Sequence, residues 1–89
     1  MDMPRDILEK CLAGGIRMTS QRQIIVSVIG ESEDHPDVDE LYRRAVDEDS
    51  TISIATVYRT VKLLEEAGVI DRLEFGDGRS RYEESGEHH

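Results

Sequence analysis

The sequence predicts a mainly α-helical domain closed by a small antiparallel β-hairpin, and three observations predict it. Apolar residues recur at helical spacing in four successive segments, and capping residues or glycines punctuate them. After the fourth, Val69-Ile70-Asp71-Arg72-Leu73-Glu74-Phe75 partly alternates, Gly76-Asp77-Gly78 supplies a turn, and Arg79-Ser80-Arg81-Tyr82-Glu83 returns as the partner strand. The chain runs to 89 residues with 37% hydrophobic side chains and no Trp, which provides for one modest core and one domain. Three or four helices followed by a two-stranded hairpin is the order of a winged helix-turn-helix. No internal repeat, low-complexity segment or long linker divides the chain.

Each element has its own local cause. Pro4 at an early helical position, with Ile7, Leu8, Cys11 and Leu12 at helical spacing, predicts a first short helix ended by Gly14-Gly15. Cys11 then reads as a buried structural thiol. Arg17 falls in the following turn. Thr19 or Ser20 caps a second helix whose Ile24, Ile25, Val28 and Ile29 share a face, and Gly30 with the acidic run to Asp34 breaks it. Asp37-Val38-Asp39-Glu40 has the reciprocal spacing of a capping box, and Val38, Leu41, Tyr42 and Ala45 give the third helix its inner face. Ser53 caps the fourth, Gly68 ends it, and Ile54, Val57, Val61 and Leu64 form its core-facing stripe.

The outer face of that fourth helix carries the functional signal. At about 100° per residue, Ala55, Arg59 and Lys62 lie opposite the stripe, with Thr56 and Tyr58 on its flanks. Alanine permits close approach to a groove, arginine can fork onto guanine edges, and a tyrosine ring can pack on a thymine methyl or bond a phosphate. On periodicity alone the segment also reads as an ordinary amphipathic helix with Arg59 and Lys62 merely solvated. In a helix-turn-helix the Asp37 helix would cross the backbone, the Ser53 helix would read the major groove, and the hairpin would be a wing with Arg79 near its tip. An exposed turn arginine of no consequence is the alternative for Arg79.

A formal net charge of −9 opposes nucleic-acid binding, but its distribution does not. Lys10 to Gly30 holds Lys10, Arg17 and Arg22 without an acid, and Ser50 to Leu64 holds Arg59 and Lys62 without an acid. Nine of the twenty acids lie between Glu31 and Asp49. One face can therefore suit phosphates while another repels them, with weak and salt-sensitive binding as the consequence. No stretch reads as a secretory signal or a membrane span, which makes the cytoplasm the expected compartment and excludes a membrane partner.

Four blocks, in correct order and spacing over nearly the whole chain, are similar to the ferric uptake regulator family of metal-responsive bacterial repressors. They are Gly15-Ile16-Arg17-Met18-Thr19-Ser20-Gln21-Arg22, His35-Pro36-Asp37 leading to Leu41-Tyr42, Ser53-Ile54-Ala55-Thr56-Val57-Tyr58-Arg59-Thr60, and Phe75-Gly76-Asp77-Gly78 running into Arg81-Tyr82-Glu83. In character the chain is most similar to the iron- or manganese-responsive members of alphaproteobacterial type. The resemblance implies that Tyr58 and Arg59 touch bases in the major groove and that Arg17 enters or skirts an A/T-rich minor groove. It also implies phosphate contacts for Arg22, Ser53 and Thr56, with Lys62 and Arg79 as electrostatic helpers.

For metal, the resemblance implies His35 and Glu83 as ligands from the DNA-binding half. It adds His89 as the first histidine of a His-X-His pair continuing past the end, so the site within the chain is incomplete. Imidazole and carboxylate suit Fe(II), Mn(II), Co(II) or Zn(II). Read alone, His35 is a loop histidine, Glu83 a strand-end acid, and His88-His89 the start of an affinity tag. The expected organisation is a winged-helix DNA-binding domain over residues 1–84, with 85–89 beginning a hinge to a dimerisation domain.

The leading expectation is the DNA-binding domain of a metal-dependent transcriptional repressor of metal-uptake genes, which catalyses nothing. Its partner would be double-stranded DNA bearing an A/T-rich inverted repeat. The full-length protein would be a homodimer holding a divalent metal; this portion would be monomeric and hold none. The alternative is an acidic winged-helix module that docks another protein through the Glu31 to Asp49 surface. A small metal-dependent hydrolase is the third reading, and no nucleophile or general base in a defined pocket supports it.

Overall fold

A computed structural model describes residues 5–32, 34, 36–74 and 80–84 of the chain. Four helices precede one hairpin: α1 (Arg5–Ala13), α2 (Ser20–Glu31), α3 (Val38–Glu48), α4 (Ile54–Glu66), β1 (Ile70–Glu74) and β2 (Ser80–Glu84). The two strands pair antiparallel, from Ile70 opposite Glu84 to Glu74 opposite Ser80. Pro4, the turn Gly76-Asp77-Gly78 and Arg79 lie outside the described residues.

Three of the helix starts are fixed by side chains that accept a backbone N–H. Thr19 takes the amide of Arg22, Asp37 that of Glu40 and Ser53 that of Thr56. Two of the ends are fixed by glycine. Gly15 and Gly68 sit at φ +80° and +79°, a region that side chains disfavour. Around each glycine the same pair of bonds closes the helix: Gly15 to Leu12 and Ile16 to Cys11 after α1, Gly68 to Glu65 and Val69 to Leu64 after α4. These are two Schellman motifs, and in both the apolar contact that accompanies the motif is buried, Ile16 with Cys11 and Val69 with Leu64. The two ends also lie side by side, since a Cβ placed on Gly14 would stand 3.7 Å from that of Ala67.

One cluster forms the core. Ile7 and Cys11 of α1 meet Ile25, Val26, Val28 and Ile29 of α2, and Val38, Leu41 and Ala45 of α3 meet Val57, Val61 and Leu64 of α4. Val69, Ile70 and Tyr82 close it from the hairpin side, with β1 packed on α4 and β2 on α2 and α3. Cys11 is fully buried, and burial pushes its thiol above the ordinary range. The Tyr82 amide donates to the Pro36 carbonyl at 3.0 Å, which ties β2 to the segment leading into α3.

Four expectations need correction. α2 continues through Gly30 to Glu31, because Ser32 caps it, its amide on Ile29 and its hydroxyl on Val28. Leu12 is 58% exposed, since α1 presents only Ile7 and Cys11 fully to the core. Ile54 is 40% exposed because the first turn of α4 overhangs the core edge, while Thr60, a turn and a half further on, is buried at 3% exposed. Only the Asp37 arm of the predicted capping box forms as drawn. Glu40 turns its carboxylate forward to Arg43 and Arg44, and those guanidinium bonds hold its carboxyl below the usual range.

Candidate nucleic-acid interface

The outward face of α4 is built as its periodicity predicts. Ser53, Ala55, Arg59 and Lys62 are exposed, Tyr58 is 55% exposed, and Thr56 is half-buried at the flank. The inward face is locked by Val57, Thr60, Val61 and Leu64, so the outward rotation of Tyr58 and Arg59 is set by the core.

The start of α4 gathers backbone and hydroxyl donors. The amides of Ile54 and Ala55 head the helix and, as at any helix start, find no acceptor within it. The Ser53 and Thr56 hydroxyls lie 3.0 Å apart, and Ser53 Oγ already accepts the Thr56 amide at 3.1 Å. Whichever hydroxyl donates to the other, one hydroxyl proton remains to be given outward.

Arg17 is exposed on the loop between α1 and α2, and three contacts hold that loop. Ile16 is buried behind it, the Gly15 motif fixes its departure from α1, and Arg22 Nη1 donates to the Arg17 carbonyl at 2.9 Å. Arg22 thus positions Arg17 from the first turn of α2. Gln21, one residue earlier, donates to Thr51 Oγ1 at 3.2 Å, and Thr51 Oγ1 donates to Asp49 Oδ1 at 2.6 Å. The Thr51 amide joins the same carboxylate, and these bonds hold Asp49 below its ordinary range. The Arg17 loop and the α3–α4 turn are therefore braced against each other through α2. Sequence reasoning missed Gln21, Asp49 and Thr51; the Asp-x-Thr spacing was the available signal for the turn.

Electrostatics separate two populations of arginine. On α3, Arg44 binds Asp34 and Glu40 and reaches Ser32 Oγ, while Arg43 pairs with Glu40. Arg17 and Arg59 have no carboxylate partner among the described residues. Lys62 shares its charge loosely with Glu66 at 3.8 Å. The acidic segment largely spends its arginines on itself, and the α4 face keeps its own available.

The metal expectation falls largely outside the description. His35, His89 and the Glu83 side chain are not among the described groups, and no cluster of three His, Cys, Asp or Glu occurs among the described residues. Likewise, no helix among them is long and apolar enough to cross a membrane.

Four helices with a turn between α3 and α4, followed by a hairpin packed on the last helix, define a winged helix-turn-helix protein. A family model described as the ferric uptake regulator family matches residues 13–89. The ferric uptake regulation protein of Rhizobium leguminosarum bv. viciae is 57% identical over 88 residues, covering 99% of this chain and 62% of its own. A solved structure of a zinc-bound manganese uptake regulator superimposes with a TM-score of 0.88 at 58% identity, over 93% of this chain and 63% of that one. The Vibrio cholerae ferric uptake regulator gives a TM-score of 0.80 at 33% identity, over 91% and 63%. The chain belongs to the ferric uptake regulator family, and it spans about three-fifths of the length of these relatives.

Proposed function

We propose that this chain is the DNA-binding portion, residues 1–84, of a metal-dependent transcriptional repressor of metal-uptake genes, resident in the cytoplasm and not an enzyme. The observation that carries the reading is the α4 face: Tyr58 and Arg59 project from a helix locked by its core side, and Arg59 is without a carboxylate partner among the described residues. Tyr58 and Arg59 would read base edges, Arg17 would reach the neighbouring minor groove, and Ser53, Thr56 and Arg22 would take phosphates. Lys62 and Arg79 would add attraction along the strand.

The metal belongs to the longer protein in this reading. His35, Glu83 and His89 would be this portion's share of the ligands, a donor set suited to Fe(II), Mn(II) or Zn(II). The Tyr82–Pro36 bond supports the pairing, because it joins the backbone neighbours of Glu83 and His35. In a homodimer, metal that fixes the angle between domains would set the spacing of two α4 helices and let both halves of an A/T-rich inverted repeat be engaged together.

Fluorescence anisotropy on an inverted-repeat duplex and on a scrambled one tests the reading. The expected outcome is weak, salt-sensitive preference for the repeat, unaltered by Mn(II) or Zn(II), which Arg59→Ala reduces by about 1–3 kcal/mol. Equal binding of both duplexes, insensitive to Arg59, would instead favour protein docking through the Glu31 to Asp49 surface.

A further inference from the structure

Among the grooves on the described surface, three can be compared by the charge of their described lining. One, between Asp34 and Arg81, brings Asp34, Asp37, Asp39 and Glu40 against three arginines; another brings Glu31, Asp47 and Glu48 against Arg44. Both have an acidic excess. The third, about 290 Å³, runs between α4 and the hairpin, and it alone of the three has a cationic excess. Among the described residues, Arg59, Lys62 and Arg72 line it against one carboxylate, that of Glu65, with Tyr58 at its mouth and the buried Tyr82 behind.

We propose that this groove is a phosphate site in which Arg72 grips the DNA backbone from the wing, and that Glu65 occupies the place of that phosphate while DNA is absent. The proposal rests on the DNA-binding reading and extends it to two residues that reading does not use. Arg72 Nε lies 3.5 Å from Glu65 Oε2, and the two side chains are 50% and 33% exposed. A pair that long and that solvated is weak, so an incoming phosphate can exchange for it. A phosphate carries the same sign as the carboxylate and, like it, can take the guanidinium through two oxygens. Continuity fixes the occupant. Tyr58 and Arg59, the proposed base readers, share the groove with Arg72, so a strand lying along α4 passes over its mouth.

The test uses the 89-residue chain, the same two duplexes and a salt series, with Arg72→Ala, Arg72→Lys and Glu65→Gln, and a urea midpoint for each variant to establish folding. Arg72→Ala is expected to weaken both duplexes by the same factor and to flatten the dependence of log affinity on log salt by about 0.9, the contribution of one phosphate. Arg72→Lys should keep the slope. Glu65→Gln should tighten binding to both duplexes, and should cease to do so in combination with Arg72→Ala. An Arg72→Ala variant that shifts the urea midpoint but leaves the slope unchanged would reduce the pair to a structural link and overturn the proposal. Loss confined to the repeat would overturn it too, by making Arg72 a base reader. A wild type that binds neither duplex would bring down the DNA-binding reading itself, a result distinct from a wild type that binds with Arg72 irrelevant.

Discussion

Gly68 holds φ +79° with nothing within 4 Å of where a Cβ would stand, so its requirement is purely one of backbone. Gly68→Ala is expected to lower stability by about 1–2 kcal/mol, the price of a left-handed residue, and Gly68→Asn to recover much of it. Urea denaturation measures both, and an alanine variant as stable as the wild type would contradict the positive φ. The glycine was legible in the sequence because its cause is local. The exchange of Ile54 for Thr60 in the core was not, because periodicity ranks residues by polarity and cannot see that the first turn of α4 runs past the hydrophobic edge. The same blindness hid the pairing states of the arginines: Arg44 and Arg59 read alike until Asp34 and Glu40 are found around the one and no carboxylate among the described residues around the other.

At the scale of the element, α4 packs the core with one face and is the proposed recognition helix with the other, and Ser53 caps its start. Ser53→Ala removes the cap and should cost about 1 kcal/mol of stability, whereas Ser53→Gly, an acceptable cap, should cost a few tenths. If the hydroxyl also serves a phosphate, both variants weaken DNA binding alike while only alanine lowers the urea midpoint. Parallel losses in the two assays would assign Ser53 to capping alone. The caps at Thr19, Asp37 and Ser53 were readable because each acts within three residues. The second arm of the α3 box was not, since Glu40 had to choose between its own helix start and arginines three and four residues on, a contest among near-equal bonds. Gln21 to Thr51, thirty residues apart, has no sequence signature at all.

Across the molecule, a net charge of −9 coexists with exposed Arg59 and Lys62 on α4 because the acids gather on the segment from Glu31 to Asp49, where Arg43 and Arg44 pair with them. That arrangement is visible to pH. The Glu40 carboxyl is held below its usual 4.5 by Arg44 and Arg43, so its stabilisation is complete above that value and is lost as pH falls through the folded-state pKa. Wild type should therefore outlast Glu40→Gln in thermal melts near neutrality, the gap should close below about pH 4.5, and a gap independent of pH would locate the effect elsewhere. The chain order of helices and hairpin could be read from sequence; the way distant pieces abut could not. Among those abutments, the seam of Gly14 against Ala67 has a mechanical meaning. The Arg17 loop leaves the body just past one side of that seam and the hairpin just past the other, like two jaws of a caliper sharing one pivot. A methyl at position 14 would rest on Ala67 at an ordinary 3.7 Å but crowd the Lys10 carbonyl at 3.3 Å, so a bulkier residue there would loosen the last turn of α1 before it touched the hairpin side of the seam.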